Sequence, residues 1–181
     1  PNITGEPGFN RDATSWSVLP GIRLRDARQL SGSVRLGRAR LDHVGDAIRD
    51  FSGWVGDADL LYRPGGATRI RLAAERQVGF SVYQGNEYYV FDEGRVNAVH
   101  YLTRIFGLEG EIGRGSLEIP GVERVDRITR YKAGIRIRMP ETSIGRRAEY
   151  RVSVGRISRD SNDDRFDRSR GTFGIDIVFG Y

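Results

Sequence analysis

The chain has 181 residues, 24 of them glycine, with 29% charged residues and a mean hydropathy of −0.48, a balance that speaks against both disorder and a helical bundle. It contains no cysteine, which removes disulfide frameworks and thiolate metal sites. The net charge of +5 comes from 29 basic residues, all arginine except Lys132, interspersed with acids and not gathered into a phosphate-binding patch, so nucleic acid is not an expected partner.

No run of eighteen apolar residues occurs, which excludes a transmembrane helix but not a strand, for which about 9–11 tilted residues suffice. Ile3 to Asn10 is rich in Gly and Pro, and residues 1–13 read as an extracellular loop or N-terminal extension. Because the chain begins at Pro1 with no basic-then-apolar leader, either a signal peptide has been removed or upstream sequence is missing. Nine strands are then predicted, over 14–25, 28–41, 51–63, 67–82, 87–102, 104–116, 125–139, 146–158 and 169–181. The connections 26–27, 64–66, 103 and 140–145 are short, and 42–50, 83–86, 117–124 and 159–168 are mostly longer and polar. Alternating short turns and longer loops are what the two ends of a membrane barrel require.

Each strand has one apolar and one charged phase. In the fourth, Ile70, Leu72 and Ala74 alternate with Arg69, Arg71, Ala73 and Glu75. The sixth sets Phe106, Leu108, Gly110 and Ile112 against Gly107, Glu109, Glu111 and Gly113. In the seventh, Tyr131, Ala133, Ile135, Ile137 and Met139 oppose Arg130, Lys132, Gly134, Arg136 and Arg138, and no soluble core could sit behind the second set. The eighth alternates Ala148, Tyr150, Val152 and Val154 with Arg147, Glu149, Arg151 and Ser153. The second breaks phase near Gly37, where a bulge is expected. The last presents Phe173, Ile175, Ile177, Phe179 and Tyr181 on one side, as a terminal strand recognised by outer-membrane assembly machinery would. Trp16, Trp54 and Tyr88 toward one end, with Tyr62, Tyr101 and Tyr181 toward the other, are the expected aromatic girdle.

The pattern implies an antiparallel meander forming a transmembrane β-barrel, of which residues 14–181 supply the C-terminal part. Nine strands cannot stand as an open sheet in lipid, because each unpaired backbone group costs several kcal/mol there. More strands are expected, from upstream sequence in preference to the first eleven residues or a second copy. The charged phases would line a wet lumen: Arg69, Arg71, Glu75, Arg95, Glu109, Glu111, Lys132, Arg136, Arg138, Arg147, Glu149, Arg151 and Asp176, with Asp57, Asp59 and Glu93. Opposed rows of this kind create a transverse field favouring hydrated polar solutes and, with arginine in excess, anions. The alternative for the same residues is that they pair across strands and fill the interior.

Sites for chemistry are weak. The run Asp160-Ser-Asn-Asp-Asp164 opens like a calcium loop, but Arg165 stands where glycine is needed and Gly171 where a carboxylate is needed, so an exposed acidic loop is the better reading and no metal is expected. His43 and His100 have no evident carboxylate or nucleophile. Glu109 and Glu111 are expected to pair with arginines and not to act as an acid–base couple.

The run Thr68-Arg-Ile-Arg-Leu-Ala-Ala-Glu-Arg76, with Asn86-Glu-Tyr-Tyr-Val90, His100-Tyr-Leu-Thr-Arg104 and Arg156-Ile-Ser-Arg-Asp-Ser-Asn-Asp163, resembles the putative β-barrel porin-2 family of Gram-negative outer membranes. The resemblance implies a non-enzymatic outer-membrane barrel without cofactors, often associated with exopolysaccharide or capsule export. Its implied partners are the lipid bilayer, the assembly machinery and polysaccharide export components. Two readings compete with a channel: a soluble β-sandwich carbohydrate-binding module, whose apolar faces would meet each other, and a barrel that scaffolds without conducting.

Overall fold

A computed structural model describes residues 13–27, 29–43, 50–80, 88–139 and 147–180. It contains ten strands: β1 (Ala13–Val18), β2 (Gly21–Ala27), β3 (Leu30–His43), β4 (Phe51–Tyr62), β5 (Thr68–Phe80), β6 (Tyr88–Tyr101), β7 (Phe106–Ile119), β8 (Arg124–Arg138), β9 (Arg147–Ser161) and β10 (Arg168–Gly180). All pair antiparallel in one sheet that follows chain order from β3 to β10, with β1 and β2 both lying along the free edge of β3.

β1 and β2 are two halves of the predicted first strand. Val18 opposes Arg38 and Gly21 opposes Arg35, so the register on β3 runs unchanged across Leu19 and Pro20. Leu36 N–H donates to the Pro20 carbonyl at 3.1 Å, but Pro20 has no N–H to return, and the ladder breaks there. The break brings the Val18 carbonyl so close to Gly37 that any Cβ on that residue would sit 1.7 Å from it. Glycine is the one residue that fits.

The bulge expected at Gly37 is absent. Pairing between β3 and β4 runs evenly from Leu30 opposite Tyr62 to Leu41 opposite Phe51, and the register slips instead in β2, between Leu24 and Ala27. The change of phase reflects a change in what the face carries. Ala39 and Leu41 stay on the face of Arg35 and Gly37 and are buried with Phe51, Val55, Tyr88 and Val90 in a small apolar cluster at this end of the sheet. A second difference concerns 117–124, expected as a longer loop. β7 continues through Ile119, and only a 3₁₀ turn at Pro120–Val122 precedes β8.

The two faces differ in kind. Row by row across the ladder, Leu30, Tyr62, Ile70, Ala98, Gly110, Ala133, Val154 and Phe173 are direct partners on one face, which carries nearly all the exposed large apolar side chains. On the opposite face the buried groups include Glu93, Glu109 and Asp126. A water-soluble sheet does the reverse.

The upper limit of the apolar belt slopes. One row reads Leu36, Gly56, Arg76, Asp92, Ser116, Arg127 and Asp160, passing from apolar on β3 to polar on β5 to β9. Across β3, β5, β7 and β9 the limit descends from Leu36 to Ala74, Ile112 and Val154, or two residues for every second strand. A drift of about one residue (~3.3 Å) per strand spacing (~4.8 Å) corresponds to a tilt of about 35° against a flat belt. That lies within the roughly 35–45° of transmembrane barrel strands.

The described sheet is not closed: the first strand and β10 are its edges. Nine alternating strands leave these edges running the same way, so they cannot complete an antiparallel barrel by pairing with each other.

Candidate functional site

The charged face is concave. Tyr101 on β6 donates its Oη to Glu149 Oε2 on β9 at 2.6 Å, although β7 and β8 lie between. In a flat sheet those backbones would be about 14 Å apart, so the sheet must curl toward this face. Gly107, opposite Tyr101 on β7, makes the reach possible: a Cβ there would meet the tyrosine ring at 2.8 Å.

Alternation along the strands places on this face every residue expected in the lumen whose side chain is described. Arg69 lies in one row with Glu109, Arg71 in another with Glu111 and Lys132, and Arg136, Arg151 and Asp176 are consecutive partners in a third. Arg138 opposes Glu149; Glu75 opposes Glu93, beside Arg95; the Arg147 side chain lies outside the described positions.

The side chains form a graded network. Glu109, buried, accepts from Arg136 Nε at 2.9 Å and Asn97 Nδ2 at 2.9 Å, with Arg151 Nε at 3.2 Å and Lys132 Nζ at 3.9 Å. Arg136 also donates to Glu149 at 2.9 Å, while Arg138 donates to Glu149 at 3.3 Å and stacks over Tyr101, 3.4 Å from its ring centre. Glu93 accepts from Arg130 at 2.6 Å, with Arg95 at 3.6 Å. Asp126, fully buried, takes both ends of Arg124, whose guanidinium also lies over Phe166. Asp57 pairs with Arg35 and Asp59 with Arg71.

One asymmetry runs through these pairs. In every ion pair among the described residues except Arg136–Glu149, the carboxylate is less exposed than its cation. Exposures are 44% against 5% for Arg95–Glu93, 30% against 3% for Lys132–Glu109 and 38% against 0% for Arg159–Asp126. The acids lie down against the wall and the guanidinium groups face the open side. The wall is also polarised around its curve. In the same two rows β4 to β6 carry Asp57, Asp59, Glu75 and Glu93 with Arg95 as their one cation, whereas β8 to β10 carry Arg130, Arg159, Arg168 and Arg170 and no acid.

Two aromatic assignments need correction. Tyr101 belongs to the charged face and not to an outer girdle, because its odd position in β6 shares the phase of Glu93 and Arg95. Tyr88 is buried edge-on against Phe51, ring centres 5.7 Å apart, rather than exposed at a rim. Trp16, Trp54 and Tyr62 are exposed on the apolar face, as are Phe173, Ile175, Ile177 and Phe179 of β10, while Tyr181 lies outside the described residues. Asn97 and Asp126 were missed by sequence reasoning although their inward phase was readable, and Arg124 because it was expected in the 117–124 connection and not in β8. His100 lies 2.9 Å from Thr68 Oγ1 on the apolar face, and the His43 side chain is outside the described positions. In the acidic loop, Asp163 binds Arg165 and Asp167 accepts from the Ser161 amide.

A tilted antiparallel sheet with an exposed apolar belt on one side and a concave charged wall on the other defines the wall of a transmembrane β-barrel of the porin class. The chain belongs to the family described as putative beta-barrel porin 2, whose model matches residues 3–179. No curated protein and no solved structure matches the chain.

Proposed function

We propose that this chain forms part of the wall of an outer-membrane channel that passes hydrated polar solutes with a preference for anions. The observation that supports it is the exposure asymmetry: carboxylates held against the wall and cations turned to the open side give the path a positive surface, although acids and bases nearly balance in number. Small anions and acidic polysaccharide segments both suit that surface, the second through repeated carboxylate or sulfate contacts with arginine. The apolar belt carries the membrane reading, and the uncovered apolar face stands against a soluble sandwich. No residue is assigned a catalytic role.

The test is reversal potential across a planar bilayer under a salt gradient, using the full chain with whatever strands complete its barrel. Anion selectivity is expected, reduced when the exposed pair Arg71 and Arg95 is replaced as Arg71→Gln/Arg95→Gln. Cation selectivity would overturn the reading, and absence of conductance would leave the scaffold alternative. The exposed apolar row of β10 is proposed as the segment that the assembly machinery reads, so Phe179→Asp should lower membrane levels severely. Unchanged levels would count against that role.

A further inference from the structure

Above the belt, the apolar face carries a feature that a channel lining does not use. Arg38 on β3, Arg76 on β5, Arg114 on β7 and Arg156 on β9 all fall on the outward phase, each the first charged outward residue of its strand, although on β5 the apolar Val78 and Phe80 follow Arg76 on the same phase. They occupy every strand that runs toward the 81–87 and 162–167 connections, and each sits two rows below the last. That is the same descent as the belt limit, so on tilted strands the four guanidinium groups lie at one height. Three of them belong to a repeated unit, an outward apolar residue, a glycine and then arginine: Leu36-Gly37-Arg38, Ile112-Gly113-Arg114 and Val154-Gly155-Arg156.

Three of the four have no carboxylate partner among the described residues. Arg114 makes no ion pair among the described residues, Arg38 lies 4.9 Å from the Trp54 ring centre, and Arg156 donates only to the Ser169 hydroxyl at 2.8 Å. Arg76 is the exception, since it contacts both Asp92 carboxylate oxygens at 2.7 Å and donates to the Trp54 carbonyl at 3.1 Å. The other limit of the belt has no arginine row: its outward strand residues are Leu30, Tyr62, Thr68, His100, Phe106, Ile137 and Ala148.

From this row we infer a binding surface for phosphate-bearing lipid headgroups in the leaflet that the loop end faces. A guanidinium at the limit of an apolar surface stands where a lipid phosphate stands when its acyl chains cover that surface, and its planar fork suits bidentate phosphate contacts. The inference rests on the membrane reading given above.

The test uses the full chain folded into two kinds of vesicle, phosphatidylcholine alone and phosphatidylcholine containing a bis-phosphorylated glycolipid, with the midpoint of heat-modifiable gel mobility as readout. The phosphorylated lipid is expected to raise the midpoint of the natural chain. Arg114→Gln/Arg156→Gln should lose half or more of that rise while folding normally in phosphatidylcholine, and Arg104→Gln/Arg165→Gln, equal in charge but away from the row, should keep it. Inorganic phosphate should not reproduce the rise. Retention of the full rise by the first pair, or equal loss by the second, would overturn the inference. A chain that inserts into neither vesicle would overturn the membrane reading beneath it.

Discussion

The two faces of β8 are built from interleaved residues of one strand and obey opposite rules. Tyr131, Ala133, Ile135 and Ile137 face outward, and the first, third and fourth are well exposed, whereas Lys132, Arg136 and Arg138 face inward and are partly covered by the carboxylates they bind. On the outer face a side chain is selected for what it does not do, namely expose a polar atom to hydrocarbon. On the inner face it is held by specific partners at fixed distances. A charge is therefore ruinous on one face and ordinary on the other, one residue away along the chain.

Ile135→Arg tests this contrast most severely. Ile135 is paired with Leu108 and Val152 in the middle of the belt, and an arginine there costs about 2–4 kcal/mol at the midplane of a bilayer. The folded fraction in lipid vesicles, read by gel mobility, should fall steeply, while Lys132→Arg, three positions away but on the inner face, should fold as the natural chain does. Equal folding of both variants would erase the distinction between faces.

A smaller effect is expected from Tyr101→Phe. It removes the hydroxyl that spans from β6 to Glu149 but leaves the ring over Gly107 and beneath Arg138. The lost hydrogen bond to a charged acceptor is worth about 1.5–3 kcal/mol at most, less where water can replace it, and the unfolding midpoint in detergent should drop accordingly. A girdle tyrosine would instead lose little on this change. An unchanged midpoint would return Tyr101 to the interface.

Period-two alternation made the strands legible, because a strand with lipid on one side and charge on the other repeats the contrast at every step. The predicted segment 67–82 corresponds to β5 at Thr68–Phe80, and 125–139 to β8 at Arg124–Arg138. Pairs between distant strands were not legible in the same way. Nothing in the spacing of Tyr101 and Glu149 announces a contact that depends on curvature and on a glycine between them. Gly37 misled for a related reason: a face can change from charged to apolar without the strand changing register, and alternation alone cannot separate the two. The length of 117–124 misled because Leu117 and Ile119 continue the ladder opposite Asp126 and Arg124.

The weakest effect is expected outside the belt, in the 162–167 loop, where polar groups meet water and not lipid. Asp163 accepts from the Arg165 amide and from its guanidinium, and this pairing holds its carboxyl below the usual carboxylate range. A carboxyl with a folded pKa below its unfolded value of about 3.9 stabilises the fold fully above that value. The contribution disappears as pH falls through the lower, folded value. Because the pair is exposed, salt and water screen it. Hydrogen exchange of the Arg165 amide should therefore be flat from neutral pH to about 5, once corrected for the intrinsic pH dependence of exchange, and should accelerate below about 4, with Asp163→Asn removing most of the acid-dependent step. The outward residues of the belt carry no group that titrates there, so any matching step in β8 would come from the inward carboxylates of the charged wall. Equal acid sensitivity in β8 and in this loop would mean that the charged wall, and not the loop, is the first part of the molecule to yield to acid.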